Sequence, residues 1–442
     1  MNIAKLAGQL RRRMRLWRLR QGRAGQWGVF RRRIATGVAA VLLGLVALAF
    51  AAMGDRAQER FADVVARWPY LPLLLTPLLF AGVTWATRRW APDATGSGIP
   101  QVIAAAREPL LEAKGPLVSL RTAIIKLFMT VVVLGAGGSV GREGPTVQVS
   151  AAIMAAFHRL LRVPVTAGVM IAGGAAGVAA AFNTPLAGVA FAIEELASAY
   201  EQRVAVMVMA AVMISGLVSL GVAGDYIYFG AMRQTLDISS TLLITPVAGI
   251  VGGLAGGLFA RLMLRWQEAE RPHIARLKAR PVLLAGGCGL VVAVIGLLTG
   301  STWGTGYEVT RNLVEGQGHA LWFGPAKFIA TLATSISGTP GGIFAPSLAV
   351  GAGVGNLLTP VFPHDPPGAI IVLAMCAYFV GVVRAPLTAV IIISETTASR
   401  GLILPLFAAA LIADGTSALV CRERLYHGLA RPFFRRQAEA KA

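Results

Sequence analysis

Residues 182–195 read FNTPLAGVAFAIEE, and residues 382–396 read VVRAPLTAVIIISET. In both stretches a proline begins an apolar segment that closes on an acidic residue. One offset of 201 residues superposes Pro185 on Pro386, Glu194 on Glu395, Lys126 on Lys327 and Pro145 on Pro346 without a gap. Self-similarity at one fixed spacing indicates a duplicated chain. The sequence therefore predicts two related halves, built around equivalent helices.

The composition is that of a membrane protein. Hydrophobic residues make up 55% of the chain and charged residues 14%, a balance unlike that of a soluble domain. Several apolar blocks approach 20 residues, the length needed to cross about 30 Å of hydrocarbon. The apolar blocks are residues 34–53, 70–86, 123–134, 204–223, 242–264 and 282–298. We therefore predict an all-α polytopic membrane protein.

Much of the net charge of +20 lies at the two ends of the chain, and further basic patches separate the apolar blocks. The basic patches are residues 1–33, which contain no acidic residue, and residues 88–89, 261–280 and 422–436. The positive-inside rule places all four on the cytoplasmic side, and hence both termini. The alternative, a basic arm that binds RNA or anionic lipid, is less favoured. We expect a multi-pass protein of a cell membrane, the bacterial inner membrane in particular, with no nucleic-acid partner.

The apolar and basic segments divide the chain into five parts. We predict a basic cytoplasmic segment over residues 1–33, a first transmembrane repeat over 34–222, a linker over 223–240, a second repeat over 241–420, and a cytoplasmic helix and tail over 421–442. A cleaved signal peptide at the N-terminus is disfavoured, because residues 34–53 are long enough to span and apolar blocks continue throughout the chain.

Other chemistries find little support. Cys288, Cys376 and Cys421 are widely separated and lie in or beside apolar segments, and the five histidines show no ligand spacing. We expect neither a disulfide framework nor a metal site. The glycine-rich residues 135–139 follow no strand and precede no Gly-Lys-Ser/Thr, which argues against a nucleotide-binding loop. No cofactor is expected.

Three glycine-rich loops ending in proline each begin an apolar stretch that looks too short to span comfortably. They are GSGIP at 96–100, GREGP at 141–145 and GGIFAP at 341–346. Glycine allows close backbone approach to a ligand, and proline suits the first helical turn. A helix start presents free N–H groups and the positive end of the dipole, so several together form an anion site without a full charge. Alternatively, glycines and prolines in membrane helices only allow kinks and close helix packing. We prefer that interpretation only for Gly249, Gly253 and Gly257.

The three loops, in this order, resemble the filter segments of the CLC family of chloride channels and chloride/proton exchangers. The resemblance extends from about residue 34 to residue 429. It implies a homodimer in which each subunit has its own pore, built from two inverted-topology repeats of tilted and discontinuous helices, with chloride as the bound substrate. Because the chain ends soon after Tyr426, we expect no paired nucleotide-binding domains and no control by nucleotide.

The resemblance also assigns the anion-binding residues. It places the Ser97 hydroxyl, the N–H groups of Ile343 and Phe344 and the Tyr426 hydroxyl on the anion, all of them neutral donors. Tyr426 alone would be interpreted as an interfacial aromatic anchor. Arg142 is expected to keep the region electropositive, with Gly144 beside the anion. The remaining motif residues are Gly96, Gly98, Ile99, Pro100, Gly141, Pro145, Gly341, Gly342, Ala345 and Pro346.

Two glutamates are expected to carry protons. Glu143 matches the gating glutamate, whose carboxylate would compete with chloride for the same N–H donors. Glu195 matches the inner proton glutamate, which exchangers carry and typical channels do not. For Glu194 and Glu395 we prefer an interpretation without a transport function, in which each lies at a helix end that faces water.

The neighbourhood of the first filter segment departs from the family pattern. Lys126 matches a common lysine, which we interpret as electrostatic or structural support. Where well-known bacterial exchangers have acidic residues after GSGIP, this chain has Gln101, Val102 and Ile103. The charge network around Lys126 should therefore be rearranged.

The resulting hypothesis is secondary active exchange of chloride for protons, and no enzymatic activity. The nearest alternative is a voltage- or pH-gated chloride channel on the same scaffold. A second alternative is an exchanger that prefers fluoride or nitrate, although Ser97 favours chloride. An integral-membrane enzyme or a lipid-binding scaffold would need a catalytic cluster of His, Asp or Cys near a membrane face, and the sequence offers none.

Overall fold

The computed structural model describes residues 3–109, 115–197, 202–224, 227–232 and 234–439, and these residues form eighteen α-helices and no β-strand. The first half contains α1 (Ile3–Arg67), α2 (Pro72–Trp90), α3 (Ile99–Arg107), α4 (Leu120–Leu134), α5 (Glu143–Leu160), α6 (Ala167–Phe182), α7 (Pro185–Phe191) and α8 (Gln202–Ala223). A π-helical turn, Ala192–Leu196, continues α7.

The second half and the C-terminus follow the same order. They contain α9 (Ile238–Glu268), α10 (Pro272–Lys278), α11 (Pro281–Thr299), α12 (Tyr307–Val314), α13 (Phe323–Ile336), α14 (Phe344–Leu358), α15 (Pro367–Val383), α16 (Pro386–Thr397), α17 (Ile403–Val420) and α18 (Leu425–Glu439). The helix α1 passes unbroken through the predicted boundary at residue 33, and α9 begins inside the predicted linker. Residues 1–2, 110–114, 198–201, 225–226, 233 and 440–442 of the predicted segments lie outside the described residues.

Six of the described helices are long and apolar enough to cross a membrane. They are the Trp27–Arg67 part of α1, Val204–Ala223 in α8, α9, α11, α17, and α14 with its extension to Val361. The apolar blocks 70–86 and 123–134 also form helices, α2 and α4, which do not meet this criterion. The prediction of a polytopic all-α protein is confirmed.

The expectation of three short helices behind the glycine loops holds only for α3, which has 9 residues. The helix α5 has 18 residues, and α14 with its 3₁₀ continuation reaches spanning length. Their mixed composition conceals this length, because both are buried inside the protein, where small and polar side chains such as Gln148 are tolerated.

The most buried helices are the equivalent pair α6 and α15, in which nearly every residue is buried. Both are apolar on all faces, the pattern of a helix that contacts protein all round. They form the centre of the hydrophobic core, and α5 and α14 pack against them in turn. The filter loops therefore begin helices that cannot move without disturbing the core.

The two halves correspond helix by helix. Residues Glu143 and Phe344 begin α5 and α14, and Pro185 and Pro386 begin α7 and α16. Gly141 and its counterpart Gly342 exchange two backbone hydrogen bonds, each 2.8 Å, in an antiparallel bridge. Two equivalent residues can exchange both bonds only across a two-fold relation. The duplication predicted from the sequence is thus also a spatial pseudo-symmetry.

Glu194 and Glu395 have a specific structural role that the sequence interpretation missed. Glu194 accepts hydrogen bonds from the Thr388 N–H at 2.7 Å and the Leu387 N–H at 3.0 Å. Glu395 accepts one from the Ala187 N–H at 2.9 Å. Each carboxylate satisfies free N–H groups at the start of the equivalent helix of the other half. The expectation of plain aqueous helix ends was therefore wrong, because it considered each half alone.

Glycines allow α9 to pack closely on two neighbours, as the sequence predicted for the spaced set. A Cβ at Gly253 would lie 2.7 Å from the Ala413 Cα, and Gly249 and Gly257 face α17 in the same way. A Cβ at Gly252 would lie 2.8 Å from the Tyr378 nitrogen of α15. The backbones themselves are in contact here.

We predict that Gly253→Leu destabilises the folded protein by about 1–3 kcal/mol, because the side chain must push α9 away from α17. Gly287→Leu in α11 is the matched control, since nothing lies within 4 Å of a Cβ there. Thermal unfolding of the detergent-solubilised protein measures both. Equal transition temperatures for the two variants would contradict the close packing.

Candidate anion site

Three helix starts meet where the two halves join. The bridge between Gly141 and Gly342 fixes the GREGP and GGIFAP loops side by side, and the Gly341 N–H donates to the Gly96 carbonyl at 3.1 Å, which adds the GSGIP loop. Gly98 has a φ of 104°, a left-handed conformation that glycine adopts without strain. The N-termini of α3, α5 and α14 are thereby assembled at one point, as the sequence predicted.

Glu143 begins α5, and its carboxylate lies against the N-terminus of α14. Its side chain is fully buried, and its Oε2 accepts a hydrogen bond from the Ala345 N–H at 3.4 Å. The other oxygen, Oε1, is buried with no hydrogen-bond partner among the described residues. The carboxylate thus occupies N–H donors at the start of a helix, a position that also suits an anion.

The hydroxyls of Ser97 and Tyr426 lie close to each other. Both oxygens are buried, and neither forms a hydrogen bond within the described part of the chain. Buried hydroxyls are normally hydrogen-bonded, so two together mark a place for an acceptor. A Cβ at Gly144 would collide with the Ser97 hydroxyl. Glycine at this position therefore keeps the Ser97 hydroxyl accessible.

A cavity of about 400 Å³ leads to these hydroxyls. Ser97, Ile343 and Tyr426 lie at its inner end, and the basic side chains of Arg88 and Lys278 also line it. We call this cavity the vestibule. Its lining joins a positively charged mouth to neutral donors.

Lys126 holds the loop that contains Ser97 through hydrogen bonds to backbone carbonyls. Its fully buried ammonium donates to the carbonyls of Ala94 at 2.9 Å and Gly96 at 2.5 Å. Gln101 donates to the Thr95 carbonyl of the same loop at 2.7 Å. In this chain backbone carbonyls therefore surround the lysine, and the Gln101 amide holds the same loop.

Lys327 repeats this arrangement in the second half. It is also fully buried, and its ammonium donates to the carbonyls of Thr302 at 2.9 Å and Gly304 at 2.7 Å, in the loop before α12. The sequence offset paired the two lysines, but only the structure shows that each holds the equivalent loop.

Arg142 faces α1 through an ion pair that the sequence did not reveal. Its Nη1 donates to the Asp55 carboxylate at 2.7 Å and to the Ala51 carbonyl at 2.8 Å. Because 87 positions separate Arg142 from Asp55 in sequence, no local pattern could have identified the pair. The ion pair positions the residue that precedes Glu143.

Glu195 lies apart from the vestibule lining. Its side chain is fully buried, and its Oε1 lies 3.4 Å from the Nδ1 of His427, whose side chain is 44% exposed. The sequence interpretation assigned no role to His427, although it directly follows Tyr426 in RLYHGLA.

Phe344 contributes its backbone to the start of α14 and its ring to the surrounding core. The ring packs against Phe182, Phe191, Phe379 and Tyr426, with centroids 4.9–6.3 Å away. This aromatic cluster excludes water beside the donors, which strengthens their attraction for an anion.

We predict that Lys126→Met and Lys327→Met each lower stability by about 1–3 kcal/mol, because each leaves buried carbonyls without a donor. Only Lys126→Met should weaken chloride binding, by roughly tenfold or about 1.4 kcal/mol, since its charge lies beside Ser97. Unfolding curves and calorimetric chloride titration of the purified variants measure the two effects. Equal chloride affinities in the two variants would refute the role of Lys126 in anion binding.

Comparison with known proteins identifies the family. A family profile described as voltage gated chloride channel matches residues 78–418. The H(+)/Cl(-) exchange transporter ClcA of Yersinia pestis bv. Antiqua (strain Angola) is 31% identical over 436 residues, covering 92% of this chain and 89% of the relative. The solved structure of a slow cyanobacterial Cl-/H+ antiporter has a TM-score of 0.78 and 26% identity, covering 92% of this chain and 99% of its own.

A CLC-type fluoride/proton antiporter has the same fold, with a TM-score of 0.74 and 21% identity, and the match covers 88% of this chain and 96% of that one. The filter loops, the duplicated helices and these matches agree, and the chain belongs to the CLC family of voltage-gated chloride channels and transporters.

Proposed function

We propose that this protein exchanges chloride for protons across the membrane, with Glu143 as the group that links the two ions. The observation that carries this proposal is the Glu143 carboxylate, buried against the Ala345 N–H at the start of α14. A charged carboxylate there occupies donors that an anion needs. When it binds a proton its attraction to those donors falls, and chloride can replace it.

The anion reaches this point through the vestibule. Arg88 and Lys278 raise the local chloride concentration at the mouth. The hydroxyls of Ser97 and Tyr426, together with backbone N–H groups of Ile343 and Phe344, bind the anion with dipoles alone. Weak, neutral donors let the ion leave as readily as it arrives. Arg142 makes the region more electropositive through its charge, and its ion pair with Asp55 positions the GREGP loop.

Exchange is favoured over passive conduction by two features. The chain has a second buried acid, Glu195. Because burying an ionisable side chain inside a membrane protein costs free energy, such residues usually have a function. The Yersinia relative and the cyanobacterial structure are both described as proton-coupled. We assign Glu195 to proton transfer on the inner side.

Chloride is the proposed anion because the filter residue is Ser97. The fold alone does not decide this, since a fluoride/proton antiporter shares it. Chloride is larger and less strongly hydrated than fluoride, so a few neutral donors compensate more of its dehydration free energy.

The basic residues around the vestibule suggest how the protein is oriented in the membrane, and its exposed apolar side chains suggest how two copies associate. The vestibule opens among the basic ends of α2, α9 and α10, which we place on the cytoplasmic side of a bacterial inner membrane. Large apolar side chains of α8 and α17 are exposed, among them Val206, Leu217, Leu404 and Leu419. We assign this surface to a homodimer contact within the lipid bilayer.

We predict that Glu143→Ala abolishes proton transport while chloride flux continues without dependence on pH, because the carboxylate no longer closes the path. Glu195→Gln should also abolish proton transport but keep Glu143-dependent gating. Purified protein in liposomes, with a chloride electrode and a pH electrode recording both fluxes, provides the measurement.

The wild type must first drive protons uphill when only a chloride gradient is imposed. If it does not, the protein is a channel and the proposal of exchange is wrong. Unchanged pH dependence in Glu143→Ala would remove Glu143 from the mechanism instead.

We predict that external chloride and bromide support exchange better than fluoride, and that fluoride competes weakly with chloride. The same liposomes, assayed with each halide and with nitrate in turn, measure the preference. A faster proton-coupled flux with fluoride or nitrate would overturn the assignment of chloride.

A further inference from the structure

The helix α18 has two faces with different surroundings. Tyr426, Leu429 and Phe433 line the vestibule, which carries the anion. His427 follows Tyr426, about 100° further round the helix, and among the described residues neither it nor Glu195 belongs to that lining. Whatever group exchanges protons with Glu195 therefore approaches it from outside the anion path.

Glu195 has no access to water of its own, since its side chain is fully buried. The Nδ1 of His427 lies 3.4 Å from its Oε1, and neither atom has a hydrogen-bond partner among the described residues. A small rotation of the imidazole would complete a hydrogen bond. Because the His427 side chain is 44% exposed, it joins the buried acid to the aqueous face of α18.

The other charged groups near this pair are engaged elsewhere. Glu194, the neighbouring acid, uses both carboxylate oxygens to cap α16. Arg424 donates to the Glu194 carbonyl at 3.3 Å and acts on Glu195 only through its charge. The remaining pairs on elements around α18 are Arg107 over the Phe434 ring, Arg384 with Asp414, Arg436 with Asp93, and Glu268 and Glu423 with Arg431.

We propose that His427 relays protons between the aqueous face of α18 and Glu195. This inference rests on the proposed role of Glu195 in exchange. The imidazolium gives its Nδ1 proton to the Glu195 carboxylate, which leaves a protonated acid and a neutral imidazole whose remaining proton is on Nε2. The ring then turns its Nδ1 towards the aqueous face, takes a proton there from hydronium, and turns back. Histidine suits this step because its ordinary titration range includes physiological pH. Tyr426 lies within electrostatic reach of both Glu195 and Glu143.

The test compares wild type, His427→Ala, Glu195→Gln and the double variant in liposomes. We expect His427→Ala to lower proton flux by roughly tenfold, less than a positioned acid can contribute because water substitutes in part. Chloride flux should fall less, so that more chloride moves per proton. The double variant should match Glu195→Gln alone. The matched control is His273→Ala, an exposed histidine of α10, which should leave both fluxes unchanged.

A purely structural role for His427 predicts different results. His427→Gln keeps the hydrogen-bonding capacity but cannot titrate, so it should behave like His427→Ala if the proton relay is correct. Free imidazole in the buffer should restore proton flux to His427→Ala and not to Glu195→Gln. Full proton flux in His427→Gln, or no rescue by imidazole, would overturn the relay.

The outcomes separate this inference from the proposed function. A wild type that moves no protons uphill refutes exchange itself. A coupled wild type with an uncoupled Glu195→Gln and a normally coupled His427→Ala leaves exchange intact and removes His427 from the proton path.

Discussion

The two hydrogen bonds between Gly141 and Gly342 are the interaction on which the rest of the site depends. They join equivalent residues of the two halves, so they bring two helix starts to one point. Each half contributes N–H groups that its own helix cannot satisfy. The free donors at the anion site are therefore a direct consequence of the two-fold relation and need no fixed positive charge.

In the proposed function, an acid among these donors makes anion binding depend on protons. The Glu143 carboxylate and a chloride ion carry the same charge and use the same kind of N–H group, so they exclude each other. Helix dipoles attract both. In the proposed mechanism, the choice between them depends on whether Glu143 holds a proton, and a single side chain thereby links two ion fluxes.

Some pairs of equivalent residues have the same role in both halves, and one pair does not. Glu194 and Glu395 cap each other's equivalent helices, and Lys126 and Lys327 hold equivalent loops, so these pairs stabilise both halves alike. At the helix starts the pairing breaks, because the counterpart of Glu143 is Phe344, whose ring joins an aromatic cluster. Structural support is duplicated, whereas the chemistry of ion exchange occurs once.

The sequence by itself determined the apolar blocks, the duplication and the three glycine-rich loops, because each is recorded in local composition or in a fixed spacing. The roles of Glu143 and Tyr426 came from the resemblance to the CLC family and stay predictions. The sequence could not reveal the Asp55–Arg142 ion pair, the exchanged caps or the approach of His427 to Glu195. These contacts join residues from 87 to more than 200 positions apart. Only tertiary packing brings such side chains together, within the first half for Asp55 and Arg142 and between distant parts of the chain for the others, and no local pattern encodes it.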